Sequence, residues 1–124
     1  MSRILVIDDE PHIRILIENL LARDGHEVDL AENGEAGLML FARHQYDLVI
    51  TDIVMPEKDG FEVISALNRI LPHARVIAIT GGTSKLDIRN LLAMAESLGA
   101  DRVLSKPLDF IKLQAAVKEV LELL

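Results

Sequence analysis

Three carboxylates stand side by side at Asp8, Asp9 and Glu10, directly after the apolar run Ile4–Ile7. Adjacent acids repel, and burial raises the cost, so a buried run that ends this way needs a compensating charge. Other polar groups stand in the same relation to other apolar runs. "DLVITDIVMP" carries Asp52 just beyond Leu48–Ile50, "VIAITGG" carries Thr80 after Val76–Ile79, and "RVLSKP" carries Lys106 just beyond Val103–Leu104. Brought together, Asp8, Asp9 and Asp52 make a hard, all-oxygen site. Mg²⁺ prefers one or two carboxylates with waters and phosphate oxygens, and Lys106 adds a point charge for an oxyanion. This set suits phosphoryl chemistry, in which a cation neutralises the phosphoryl oxygens while a positioned carboxylate attacks. The product would be an aspartyl-phosphate. Asp52 is the best candidate nucleophile, Asp8 and Asp9 are candidate metal ligands, and Thr80 is a candidate hydrogen-bond donor to a phosphoryl oxygen.

The elements that must position these groups are legible as alternating runs. Besides the four apolar stretches, "EVDLA" at 27–31 is a weaker alternating one. Each is followed by a segment of helical period. Ile13, Leu16, Ile17, Leu20 and Leu21 follow one helix face, as do Phe110, Leu113, Val117, Val120 and Leu124, and Ile88, Leu91, Leu92, Ala95 and Leu98. Residues 35–43 and 60–71 carry less regular stripes. Gly25 and Gly99 stand where helices should end, and Pro11 suits a first helical turn. Asp59 with Glu62, and Ser84 with Asp87, have capping-box spacing. The pattern predicts an α/β fold, (βα)5, with a doubly wound five-stranded parallel sheet and helices on both faces. Strand order 2-1-3-4-5 sets the first and third strands side by side and puts ligands beyond the carboxyl ends of the strands.

Composition narrows the function classes. The chain has 124 residues, half of them hydrophobic, and a net charge of −7, the size and balance of one domain with a real core. With no Lys/Arg cluster, direct binding to nucleic acid or an anionic membrane is not expected. Cysteine is absent, which excludes disulfides and thiolate metal sites. The start has no signal-peptide pattern and no run reaches the length of a membrane span, so a cytoplasmic protein is expected. His26, His44 and His73 share no metal-ligand spacing, His12 is expected on an exposed first turn, and Met39 and Met94 are expected to pack. The charges on the first and last helices are expected on solvated faces.

Asp8-Asp9, "TDIVMPEKDG" around Asp52, Thr80, and Lys106-Pro107, in that order, resemble the receiver domain of bacterial two-component response regulators. The resemblance runs from Ile4 to the last helix. It implies that Asp52 accepts a phosphoryl group from a histidine of a partner kinase or phosphotransfer protein. It implies that Asp9 and Asp52 contact Mg²⁺ directly, Asp8 through water, and that the backbone carbonyl of Val54 supplies another ligand. Lys106 would grip the phosphoryl group, its bond to Pro107 would be cis, and Thr80 would move toward the phosphoryl oxygen after transfer. The new charge would bias a two-state surface read by a downstream protein. Such a domain is not an enzyme in its own right.

Three positions depart from the family pattern. Val103 stands where an aromatic is usual, three residues before the lysine, and cannot make an aromatic's inward swing. Thr80 to Lys106 is longer by about four residues, roughly one helical turn, so the "TGGTSKLDIRN" loop is expected to carry the signal instead, with Gly81 and Gly82 adding backbone freedom. Val54 and Gly82, each two residues beyond a site residue, cannot orient an attacking water, so neither is expected to assist dephosphorylation. Residues 1–124 read as a single receiver domain with no effector domain, leaning toward a complete single-domain regulator. The alternatives are a pseudo-receiver that only binds a partner, an aspartate-nucleophile phosphatase, for which a D-x-D pair and a cap are missing, and a flavin or nucleotide binder. The last would need glycines or hydroxyls after the first strand rather than acids.

Overall fold

The computed structural model describes residues 2–53, 60–71, 74–81, 93, 96, 97 and 99–122. Among them are five strands, β1 (Arg3–Ile7), β2 (Glu27–Ala31), β3 (Leu48–Asp52), β4 (Val76–Thr80) and β5 (Arg102–Ser105). Four helices accompany them, α1 (Pro11–Arg23), α2 (Gly34–Arg43), α3 (Gly60–Ile70) and α4 (Phe110–Glu122). The strands form one parallel sheet in the order β2-β1-β3-β4-β5, the order expected. The stripe at 88–98 and both capping-box pairs fall largely on residues outside those described.

The sheet is buried on both faces, which is why its strands read as continuous apolar runs rather than as alternation. Successive side chains still point to opposite faces. Ile4 and Val6 of β1, with Leu48, Ile50, Ile77 and Ile79, pack against Ile17 and Leu21 of α1 and Leu113, Val117 and Val120 of α4. Leu5 and Ile7, with Val49, Val76 and Ala78, pack against Phe41 of α2 and Val63, Ile64 and Leu67 of α3. Val103 pairs with Ala78 in the ladder and packs, partly buried, against this second core. It is a packing residue of β5.

Local chemistry sets the helix ends. Pro11 opens α1. Asn33 accepts from the Ala36 amide at 2.8 Å and caps α2, and Asp109 accepts from the Ile111 and Lys112 amides at 2.9 and 3.2 Å at the start of α4. At the end of α1, Gly25 (φ 86°) donates to Ala22 O and His26 to Leu21 O. This paired arrangement needs a left-handed residue and so favours glycine. Met39, expected to pack, is instead 54% exposed on α2: the stripe of that helix turns Phe41 inward and leaves Met39 on the outer side.

The amino ends of the strands are closed by acids. Asp47 accepts from the Arg3 amide at 2.8 Å and donates its own amide to Arg3 O; Asp101 does the same for Val76. Mid-strand in β2, Asp29 accepts from Tyr46 Oη at 2.6 Å and from Arg3 Nη2 at 3.0 Å, with Arg3 lying over the Tyr46 ring. Asp29 is held below its usual carboxylate range, first by the Tyr46 hydroxyl and then by Arg3, against the opposing pull of burial.

Two stability predictions follow from these contacts. A Cβ on Gly37 would overlap the buried Ile7 side chain. Gly37→Ala should therefore lower the melting temperature, because overpacking costs about 1–3 kcal/mol against a helix-propensity gain of about 1. A folded-state carboxyl value below the unfolded one contributes stability that is present above the unfolded value and lost as pH falls through the folded one. Tyr46→Phe should cost about 1 kcal/mol near neutrality. Denaturant midpoints of the two proteins should converge as pH falls below the ordinary carboxylate range and through the lowered value of Asp29.

Candidate functional site

Ladder register brings the expected residues to one edge. Ile7 pairs with Thr51, so Asp8 and Asp52 are the next step along neighbouring strands. Asp52 pairs with Ile79, and Thr80 follows; Thr80 pairs with Ser105, and Lys106 follows, donating its amide to Thr80 O at 2.7 Å. Asp8, Asp52 and Thr80 are buried, with Asp52 only 3% exposed, whereas Asp9 is exposed on the solvent side. The peptide between Lys106 and Pro107 is cis, as the resemblance implied.

Lys106 is the hub of the charges. Its Nζ lies 3.0 Å from Asp52 Oδ2, 3.0 Å from Glu10 Oε1 and 3.2 Å from Asp8 Oδ2, and the side chain is 13% exposed. Burial works against its charge, but the hydrogen bonds to Glu10 and Asp52 and the field of Asp52 and Asp8 outweigh it and raise its pKa. Lys106 therefore stays an ammonium throughout the neutral range. Burial also pushes Asp8 above its usual value, opposed by the Glu10 amide and by Lys106. Asp8 Oδ1 accepts that amide at 2.9 Å.

The donor set fits a small divalent cation. One carboxylate oxygen from each of Asp8, Asp9, Glu10 and Asp52 lies within 4.8 Å of the others. Asp8 Oδ2 is buried 3.2 Å from the Lys106 ammonium with no aligned hydrogen bond among the described residues, which leaves it capacity for a cation. An all-oxygen set of this kind is what Mg²⁺ takes. Thr80 Oγ1 is likewise buried with no hydrogen-bond partner among the described residues. Glu10 is the least available as a metal ligand, since Oε1 receives Lys106 and Oε2 lies 3.3 Å from His12 Nε2.

Two contributions were not legible as such. Glu10 reads in sequence only as the third adjacent acid, yet it is a direct partner of Lys106 across 96 positions of chain. Arg14, expected on a solvated helix face, donates through Nη1 to Asp8 O at 2.6 Å and pins the loop between β1 and α1. Gly81 borders the site, but a Cβ there would meet Lys106 Cδ at 3.6 Å, an ordinary contact, so space does not demand a glycine. Val54 and Gly82 lie outside the described residues. The site opens into a cavity of about 720 Å³ with Asp9, Glu10, Asp52 and Lys106 on its polar side and Ile13, Leu16, Leu108 and Phe110 on its apolar side.

A doubly wound parallel sheet with a buried aspartate ending its central strand, acids beside it and a lysine across from it defines the receiver class of signalling domain. The chain belongs to the response regulator receiver domain family, whose pattern matches residues 4–118. It is 37% identical over 121 residues to the transcriptional regulatory protein PcoR of Escherichia coli, covering 98% of this chain and 52% of that protein. The chain spans about half the length of several curated relatives it matches. Among solved structures, a response regulator receiver domain protein from Clostridium thermocellum superposes with a TM-score of 0.89 at 35% identity, covering 98% of this chain and 95% of that one. The response regulator TrrA from Thermotoga maritima, solved in complex with Mg²⁺-BeF, superposes with a TM-score of 0.83 at 38% identity over 97% and 99% of the two chains.

Removing the lysine strips the buried carboxylates of Asp8 and Asp52 of the cation they share, a change worth about 3 kcal/mol or more. Lys106→Met should therefore melt earlier than the unaltered protein in EDTA, and added Mg²⁺ should raise its melting temperature by more.

Proposed function

We propose that Asp52 accepts a phosphoryl group from a phosphohistidine of a partner sensor kinase or phosphotransfer protein, and that the modified domain then signals to a downstream protein. The observation that carries this reading is Lys106 Nζ at 3.0 Å from Asp52 Oδ2, beside acids whose oxygens converge within 4.8 Å. A buried aspartate that is ion-paired, reached by a cavity and flanked by cation ligands is built as a nucleophile.

In this reading Asp8, Asp9 and Asp52 hold Mg²⁺, with the Val54 carbonyl as the expected backbone ligand. Bound Mg²⁺ would neutralise charge on the transferring phosphoryl oxygens. The chain's own residues do the rest. Asp52 supplies the attacking carboxylate oxygen, and its ladder bonds to β4 hold it in place for in-line approach. Lys106 follows the negative charge from Asp52 to the arriving phosphoryl oxygens, exchanging one anionic partner for another. Thr80 Oγ1 is a buried hydroxyl with capacity to donate; turning it toward a phosphoryl oxygen would couple modification to β4 and the loop after it. The apolar side of the cavity, Ile13 and Leu16 on α1 with Leu108 and Phe110 before and on α4, gives a partner helix a surface beside the nucleophile.

Among the described residues no helix is long and apolar enough to cross a membrane, and a cytoplasmic setting fits a kinase that draws on ATP. Residues 1–124 act here as one receiver unit; the relatives it matches over half their length are transcriptional regulators, so in a longer protein the output would be transcriptional.

Intact-mass measurement after incubation with a small phosphodonor tests the reading. One phosphoryl group should be gained with Mg²⁺ and none in EDTA or in Asp52→Asn. Gain by Asp52→Asn equal to that of the unaltered protein would move the acceptor elsewhere.

A further inference from the structure

Resting on the reading of Asp8, Asp9 and Asp52 as Mg²⁺ ligands, we infer that Arg14 is a positioning residue for the metal: from α1 it holds the Asp8–Asp9 peptide, and so aims the Asp9 carboxylate into the site. Asp9 is the exposed member of the acid set, yet one of its oxygens lies within 4.8 Å of an oxygen from each of Asp8, Glu10 and Asp52. Among the described residues no other side chain hydrogen-bonds that carboxylate. Its place is therefore set by its backbone.

That backbone is tied on both sides. Asp8 donates its amide to Ala31 O on β2 at 3.1 Å, which anchors the loop where it leaves the sheet. Glu10 donates its amide to Asp8 Oδ1 at 2.9 Å, and its carbonyl accepts the Arg14 amide at 3.2 Å. The carbonyl between Asp8 and Asp9 is the remaining handle, and Arg14 Nη1 reaches it at 2.6 Å. One residue of α1 thus grips the chain before Asp9 with its guanidinium and after Asp9 with its amide. Rotation of the Asp8–Asp9 peptide, the motion that would swing the Asp9 side chain away, has to break the guanidinium contact.

Arg3 and Arg102 are ion-paired with carboxylates, whereas Arg14 spends its short contact on a carbonyl and has no ion pair among the described residues. Charge and geometry then pull in opposite directions. A guanidinium near the acids repels Mg²⁺, so removing its charge alone would tighten binding. Losing the grip on the peptide loosens a ligand and weakens binding, by about tenfold or more where a residue that orients a metal ligand is removed. The sign of the change separates the two.

Calorimetric titration of the unaltered protein, Arg14→Ala and Arg14→Lys with MgCl₂ supplies the test. Arg14→Ala should bind Mg²⁺ about tenfold more weakly. Arg14→Lys keeps the charge but not the planar fork of donors, so it should fall between the two, and it keeps the test open if Arg14→Ala fails to fold. In metal-free protein the Glu10 amide should exchange severalfold faster in Arg14→Ala, while the amides of Val49 and Ile50 in β3 keep their rates. Mg²⁺ affinity unchanged or increased in the variants would overturn the inference and leave Arg14 acting through charge alone. Equal acceleration of exchange at Glu10 and in β3 would also overturn it and make Arg14 a residue of general stability. Absence of Mg²⁺ binding by the unaltered protein would overturn the metal reading itself and the inference with it, whereas a deficit confined to the variants leaves that reading standing.

Discussion

The structure turns on one unfavourable arrangement, the crowding of carboxylates at the carboxyl edge of a buried sheet. Asp8 and Asp52 end adjacent central strands, with Asp9 and Glu10 following on the chain. Their mutual repulsion and loss of hydration oppose folding, and Lys106 answers only part of that cost. The residual negative charge is a standing demand for a cation. Stability is given up at this edge, and the same imbalance suits it to the chemistry proposed for Asp52.

The scaffold tolerates that demand because the rest of the sheet is conservative. Both faces are sealed by aliphatic side chains, α1 and α4 on one side and α2 and α3 on the other. The amino edge is closed by acids that satisfy strand amides and by the Asp29–Tyr46–Arg3 cluster. Acids therefore occupy both ends of the sheet with opposite effects. At the amino end Asp47 and Asp101 each accept from a strand amide, and Asp29 meets both Tyr46 and Arg3. At the carboxyl end Asp8, Glu10 and Asp52 share the Lys106 ammonium, with an Asp9 oxygen beside them.

Position on the sheet also explains how a chemical event at Asp52 would reach a surface. Thr80 is the last residue of β4, pairs with Ser105 of β5 and accepts the Lys106 amide on its carbonyl. A shift of its hydroxyl or of Lys106 would therefore bear directly on β4 and on the edge strand β5. Val103, packed against the α2–α3 core, offers no large side chain to swing.

Much of this was legible in the sequence by itself. Continuous β-branched runs alternating with 3.6-period stripes specify a parallel α/β sheet, because only strands covered on both faces stay apolar throughout. Asp8, Asp9, Asp52, Thr80 and Lys106 were legible because each stands just past such a run, at the edge where this topology places ligands. Gly25 was legible as a left-handed cap because few other residues adopt that backbone. Contacts whose partners are distant in the chain were decided by tertiary structure alone. Glu10 is one acid among three until the register of five strands carries Lys106 to within 3.0 Å of it. Arg14 is a solvated helix residue until the β1–α1 loop turns the Asp8 carbonyl toward it. Met39 belongs to an apolar stripe until the roll of α2 leaves it outside. Local pattern fixes which residues are hydrophobic, charged or turning. Which charges meet depends on strand register and helix rotation, which are set by the packing of the whole core and have no local signature.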